Sequence, residues 1–94
     1  MGTLISMVHP LVMDRLTIDT RSPVPSYRQL ADQLRRAIVS GQIQPDEPLP
    51  SLSRIQQETG LAVKTIRQGI GVLVDEGLAY VVPGRGTYAA RKDG

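Results

Sequence analysis

Glycines at 41, 60 and 77 constrain this chain more than any other feature, because each stands where an apolar periodicity stops. Glycine reaches the left-handed backbone that closes a helix, so three segments of limited length are marked out. In the first, Tyr27, Leu30, Ala31, Leu34 and Ile38 recur at i, i+3, i+4, i+7 and i+11, with Arg28, Gln29, Asp32, Gln33, Arg35 and Arg36 on the other face. That spacing predicts an amphipathic helix with Ser26 as N-cap and Gly41 as its stop. Gln42–Pro50 holds three prolines and the acidic pair Asp46-Glu47, and reads as a loop with a short extended piece at its end. Ser51 then caps a second, short helix to about Thr59, with Leu52, Ile55 and Thr59 inward. Arg54 occupies the position where a capping box needs an acid. The third helix runs from about Val63 to Glu76 with Ile66, Ile70, Leu73 and Val74 as its buried stripe. Gly69 and Gly71 lie inside it, each costing about 1 kcal/mol relative to alanine, and their size permits close helix packing. Leu78–Val82 and Thr87–Ala90 read as strands joined by a turn at Pro83-Gly84-Arg85-Gly86.

The 94 residues fit one domain. Residues 1–13 have no consistent period and are expected to form a flexible tail, with Met7 and Met13 as alternative translation starts. Residues 14–25, with Pro23 and Pro25, form an extended lead-in. Residues 26–90 form the folded body, and 91–94 a flexible C-terminus. With neither Phe nor Trp in the chain, Leu, Ile and Val must fill the core, and Tyr27, Tyr80 and Tyr88 are the only aromatic bulk.

Most catalytic and metal chemistries are excluded on residue supply. There is no cysteine, and the only histidine is His9, in the tail beside a proline. A Ser-His-Asp arrangement on rigid elements therefore cannot be built, nor can a thiolate or histidine metal site. Asp46-Glu47 and Asp75-Glu76 are sequence neighbours, which do not face each other on a helix. Gly69-Ile70-Gly71 lacks the third glycine and the preceding strand of a dinucleotide motif. No catalytic residue, cofactor, metal or small-molecule effector site is expected. The first thirteen residues have neither a basic leader nor a long apolar run, so no signal peptide or membrane span is expected and the protein is placed in the cytoplasm, on the nucleoid.

A short helix, a turn at Gly60 and a longer helix make the helix-turn-helix layout, whose second helix enters the major groove. With the hairpin behind it, the fold class is mainly α with a small β hairpin: a winged helix-turn-helix in the order helix, short strand, helix, helix, strand, wing, strand. Net charge is only +2, with a pI near 9.4. Yet from Ala62 to Lys92 five basic residues face only Asp75 and Glu76, a local balance that attracts polyanions. Lys64 and Arg67 can reach phosphate or guanine, Thr65 can donate to phosphate, and the Ala62 and Val63 side chains can touch thymine methyl groups. At the hairpin tip, Arg85 stands between Gly84 and Gly86, where backbone can approach a sugar-phosphate chain closely. Ser51, Ser53 or Arg54 is positioned to meet phosphate at the start of the second helix. Tyr27 and Arg28 are further candidates for backbone contact, although Tyr27 equally suits the core. The expected partner is double-stranded DNA, with a palindromic operator and a homodimer formed on it. The rival readings are a winged-helix module for protein–protein contact and a plasmid-maintenance or architectural factor of low sequence preference.

From about Leu16 to Ala89 the sequence resembles the DNA-binding domain of the GntR family of bacterial transcription regulators. The resemblance is carried by Pro23-Val24-Pro25-Ser26-Tyr27-Arg28-Gln29-Leu30, Ser40-Gly41, Leu49-Pro50-Ser51, Gly60-Leu61 with Thr65-Ile66-Arg67, Glu76-Gly77-Leu78, and Gly84-Arg85-Gly86-Thr87-Tyr88, in the family's order and spacing. It implies the winged-helix fold and operator binding, with repression as the outcome by analogy. Two departures stand out. An acid and an arginine usually follow Leu-Pro-Ser, where this chain has Leu52 and Ser53. The recognition turn usually reads Ser-Arg-Thr-Thr, where this chain has Ala62, Val63, Lys64 and Thr65, similar to a variant branch among actinobacterial and plasmid-borne regulators. Family members usually continue into an effector-binding, dimer-forming domain, so the chain reads either as a stand-alone domain or as a fragment of a longer regulator.

Overall fold

The computed structural model describes residues 15–91; the expected tail (1–13), its alternative start methionines and the last three residues lie outside them. Helix α1 (Ser26–Ser40), helix α2 (Leu52–Thr59) and helix α3 (Val63–Asp75) precede strands β1 (Ala79–Val82) and β2 (Gly86–Ala89). The strands pair antiparallel, with Ala79 opposite Ala89 and Val82 opposite Gly86. This is the mainly-α winged helix-turn-helix expected from the sequence.

Helix α1 differs at its start from the sequence expectation. Ser26 is its first helical residue, and Pro25 stands at the cap with no side-chain bond. The Pro25 carbonyl accepts the Arg28 and Gln29 N–H groups at 3.0 and 3.1 Å, so the proline carbonyl satisfies donors that a serine hydroxyl was expected to take. The inward stripe of α1 is Leu30, Ala31, Leu34 and Ala37. Ile38, expected in that stripe, is half-buried. Ala37 lies two full turns beyond Leu30, and Ile38 is rotated about 100° off that line.

Leu16, Ile43, Leu49, Ile55, Ile66, Ile70, Leu73, Ala79 and Ala89 complete the core around those four residues. No described valine is fully buried, but Val72 and Val74 are half-buried and pack against the core, and none of the tyrosines is buried. Long Leu and Ile side chains span the distances between elements, and alanine fills the close approaches. The α1–α3 crossing is close at Gly69. A Cβ placed on Gly69 would lie 2.9 Å from the Tyr27 carbonyl oxygen and 3.1 Å from the Leu30 Cδ2 atom. On Gly71, two residues on, it would meet open space. Outside that contact, Arg35 of α1 donates from Nε and Nη2 to both Glu76 carboxylate oxygens at 2.9 and 2.8 Å, and also binds Asp32.

The lead-in is not helical, as its prolines require, but it is packed. Leu16 is fully buried. Gln33 accepts the Thr17 N–H and donates to the Thr17 carbonyl, and Gln29 does the same for Asp19. Two side-chain amides thereby stand in for a neighbouring strand. The Leu16 N–H donates to the Glu58 carboxylate at 2.8 Å, tying the lead-in to α2 as well.

Candidate nucleic-acid interface

The site is built around the turn between α2 and α3. Ser51 caps α2 as expected, its hydroxyl accepting the Arg54 N–H at 3.0 Å. Gly60 ends the helix at φ 75°, a conformation that glycine adopts without strain. The Thr59 hydroxyl accepts the Leu61 N–H and donates to the Ile55 carbonyl, which fixes the chain's exit from α2. Helix α3 starts at Val63 behind Ala62, an N-cap whose side chain has no oxygen to offer. The N–H groups of its first turn thus have no side-chain partner on the helix. Ala62, Val63, Lys64, Arg67 and Gln68 are exposed there, and Thr65 is half-buried.

The wing is held from behind. Residues 46–49 lie along β2, with Asp46 N–H to Ala89 O at 2.7 Å, Ala89 N–H to Glu47 O at 2.8 Å and Leu49 N–H to Thr87 O at 2.9 Å. This is the short extended piece expected before the second helix, seen as a bridge between Pro48 and Tyr88. The same segment runs directly into Ser51, so one stretch of backbone places both the wing and the start of α2. At the tip, the Arg85 N–H closes the turn onto the Val82 carbonyl at 2.9 Å. On the outer face Tyr80 and Tyr88 stack with ring centres 5.9 Å apart. The Asp46 carboxylate receives the Tyr80 hydroxyl and the Arg91 guanidinium, each at 2.9 Å.

Between α3 and the wing lies a groove of about 890 Å³. Ile70, Val74, Leu49 and Leu52 are among its apolar walls, and Ser51, Ser53, Arg67, Gly84 and Arg85 converge on it from three separate elements. Those five expected residues are brought together. Ala62, Val63, Lys64 and Thr65 stand on the leading turn of α3, outside the groove lining. Arg54 also lies outside the groove lining. It donates from Nε to Glu58 at 2.9 Å, the same carboxylate that receives Leu16. Tyr27 and Arg28 are also outside the groove; the Arg28 guanidinium lies 5.5 Å from the Tyr27 ring centre. Gln68 was missed. It follows Lys64 by four residues, the spacing that places two side chains on one helix face.

The electrostatics follow from how the acids are used. Glu76 and Asp32 are paired with Arg35, Glu58 with Arg54 and Asp46 with Arg91. The Leu16 N–H and then Arg54 hold the Glu58 carboxyl below its ordinary value. Arg35 holds Glu76 down, and Tyr80 and then Arg91 hold Asp46 down. Lys64, Arg67 and Arg85 enter no ion pair among the described residues. A chain close to neutral overall thus leaves two uncompensated cations, Arg67 and Arg85, lining one groove, opposed there only by Asp75, with Lys64 on the adjoining turn of α3. Among the described residues no group of acids or histidine could hold a metal ion, and no helix is long and apolar enough to cross a membrane.

Residues 26–89 match the model of the bacterial regulatory proteins of the gntR family. The HTH-type transcriptional repressor NagR of Bacillus subtilis is 41% identical over 76 residues, covering 81% of this chain and 31% of that protein. An arabinose metabolism transcriptional repressor of Geobacillus stearothermophilus is 38% identical over 68 residues, covering 72% of this chain and 19% of that one. The chain therefore spans less than a third of these curated relatives. Among solved structures, the DNA-binding domain of AraR in complex with operator ORX1 superposes with a TM-score of 0.74 at 34% identity, covering 80% of this chain and 95% of that one. YtrA from Sulfolobus acidocaldarius, a GntR-family transcription factor, gives 0.74 at 31% identity, covering 85% and 84%.

Proposed function

The chain belongs to the gntR family of bacterial regulatory proteins, and from that premise we propose that it binds double-stranded DNA sequence-specifically and acts as a transcriptional repressor. The observation that carries this reading is the convergence of Arg67, Arg85, Ser51 and Ser53 on one groove, with both arginines unpaired among the described residues. Helix α3 lies in the major groove, with Lys64, Thr65, Arg67 and Gln68 facing bases and phosphates. The wing presents Arg85 to the backbone and minor groove, and Gly84 lets the loop approach it. Ser51 and Ser53 meet phosphate at the N-terminus of α2, where backbone N–H groups favour an anion. The operator is palindromic and two chains occupy it, one per half-site. The output is occupancy of DNA in the nucleoid, without a chemical reaction.

Binding to fluorescent duplex DNA across a salt series tests this. With about four phosphates neutralised per chain, log affinity falls against log salt with a slope of roughly −3 to −4. The Arg67→Ala/Arg85→Ala double variant, shown to be folded, binds more weakly and with a shallower slope. A folded chain that fails to bind at low salt, or a double variant with the parent's slope, overturns the proposal.

A further inference from the structure

The leading turn of α3 contains two choices that folding does not explain. Ala62 caps the helix without a side-chain oxygen, whereas Ser51 supplies one at the start of α2. Alanine is among the poorer N-caps. Val63 follows at the first helical position, 37% exposed and absent from the cluster that forms the core. A β-branched side chain is a weaker helix former than the straight-chain residues that suit an exposed helix surface. Two adjacent positions are therefore both apolar, both outside the core with part of their surface open to solvent, and both suboptimal for the helix they begin. Such local departures from folding rules concentrate at functional positions.

Resting on the DNA-binding reading above, we propose that Val63, with Ala62 beside it, reads the C5 methyl group of thymine in the major groove. The chemistry allows few other targets. Guanine, adenine and the cytosine amino group present hydrogen-bond donors and acceptors on that edge, and the thymine methyl is its only apolar feature. Valine cannot pair with a donor or acceptor, and pressing it against one leaves a desolvated polar group unsatisfied. Lys64 and Arg67 flank it on the same turn and can hold the helix to phosphate while the methyl surfaces meet. A position read this way distinguishes thymine from cytosine by the methyl alone. It accepts 5-methylcytosine wherever the hydrogen-bonding edge is otherwise unread.

The full chain is used to enrich binding sites from a random duplex library, and each enriched thymine is then replaced singly by deoxyuridine. Uracil keeps the hydrogen-bonding edge and lacks only the methyl. At one thymine per half-site, replacement weakens binding about fourfold, the value of burying one methyl group. At that position 5-methylcytosine binds more tightly than cytosine. Val63→Ser, with an unfolding temperature showing that it is folded, no longer distinguishes thymine from uracil. Enrichment of a defined site whose thymines all tolerate uracil overturns methyl reading and leaves sequence-specific binding standing. A thymine–uracil difference undiminished in Val63→Ser overturns the assignment to Val63. Failure of the folded chain to enrich any site overturns both readings.

Discussion

Gly69 and Gly71 differ by two positions in one helix, and the structure assigns opposite consequences to filling them. Either change to alanine removes a flexible residue from α3 and should stabilise the helix by about 1 kcal/mol. At Gly71 nothing lies within 4 Å of the added carbon. The gain is realised in full there, and the midpoint rises by about 4–8 °C for a domain of this size. At Gly69 the added carbon would lie 2.9 Å from the Tyr27 carbonyl oxygen. That oxygen belongs to the backbone of α1, so no rotamer change relieves the contact and the helices must separate by a few tenths of an ångström. Overpacking of this kind costs roughly 1–3 kcal/mol. The helix gain is common to both variants, so the difference in their unfolding free energies isolates the packing cost. Urea unfolding followed by circular dichroism should place Gly71→Ala above the parent and Gly69→Ala below Gly71→Ala by that amount. Equal stability of the two variants would show that the α1–α3 approach is not as close as the geometry states.

Two further outcomes follow from the charged groups. Glu58 is held below its ordinary value of 4.5 by the Leu16 N–H and Arg54, so it contributes stability above that pH, which is lost as pH falls through its lowered folded value. Glu76 and Asp46 act in the same direction. Unfolding measured from neutral to acid pH should show stability falling below about 4.5, with a shallower fall in Glu58→Gln; an identical acid limb in that variant would refute the assignment. The Tyr80 phenol, donating to Asp46, should ionise above its ordinary value of 10.0. Alkaline absorbance titration should find it lower in Asp46→Asn, with Tyr80→Phe identifying the signal, and an unmoved titration would break the link.

Much of the architecture was legible because punctuation and periodicity agreed. Gly41 and Gly60 sit in left-handed conformations after α1 and α2, and the α2 cap at Ser51 formed as its sequence implied. What was not legible depended on contacts between distant segments. Leu16 gave no periodic signal, since a single apolar residue in a proline-rich stretch has no pattern to belong to, and its burial depends on Gln29, Gln33 and Glu58 reaching back to the chain around it. The burial of Ala37 in place of Ile38 is a rotation too small for hydropathy spacing to resolve. At the candidate site, residue type identified the exposed cations. The i,i+4 spacing of Arg54 and Glu58 allows their pairing, but the Leu16 N–H that also holds Glu58 comes from 42 residues away and leaves no local signal. Convergence of Ser51, Arg67 and Arg85 required the pairing of residues 46–49 with β2, a non-local contact.

The anchored lead-in changes what counts as the transplantable unit. The family match begins at Ser26, but a chimera joined there would lack Leu16 and leave a vacancy lined by core side chains. Two glutamine amides and one glutamate would also lose the backbone groups they serve. Swapping this reading head onto another regulator therefore requires a junction upstream of Arg15, and a sequence graft that respects only the helices would deliver a weakened module. The lead-in behaves as a sixth structural element without secondary structure of its own, inherited together with Gln29, Gln33 and Glu58 or not at all.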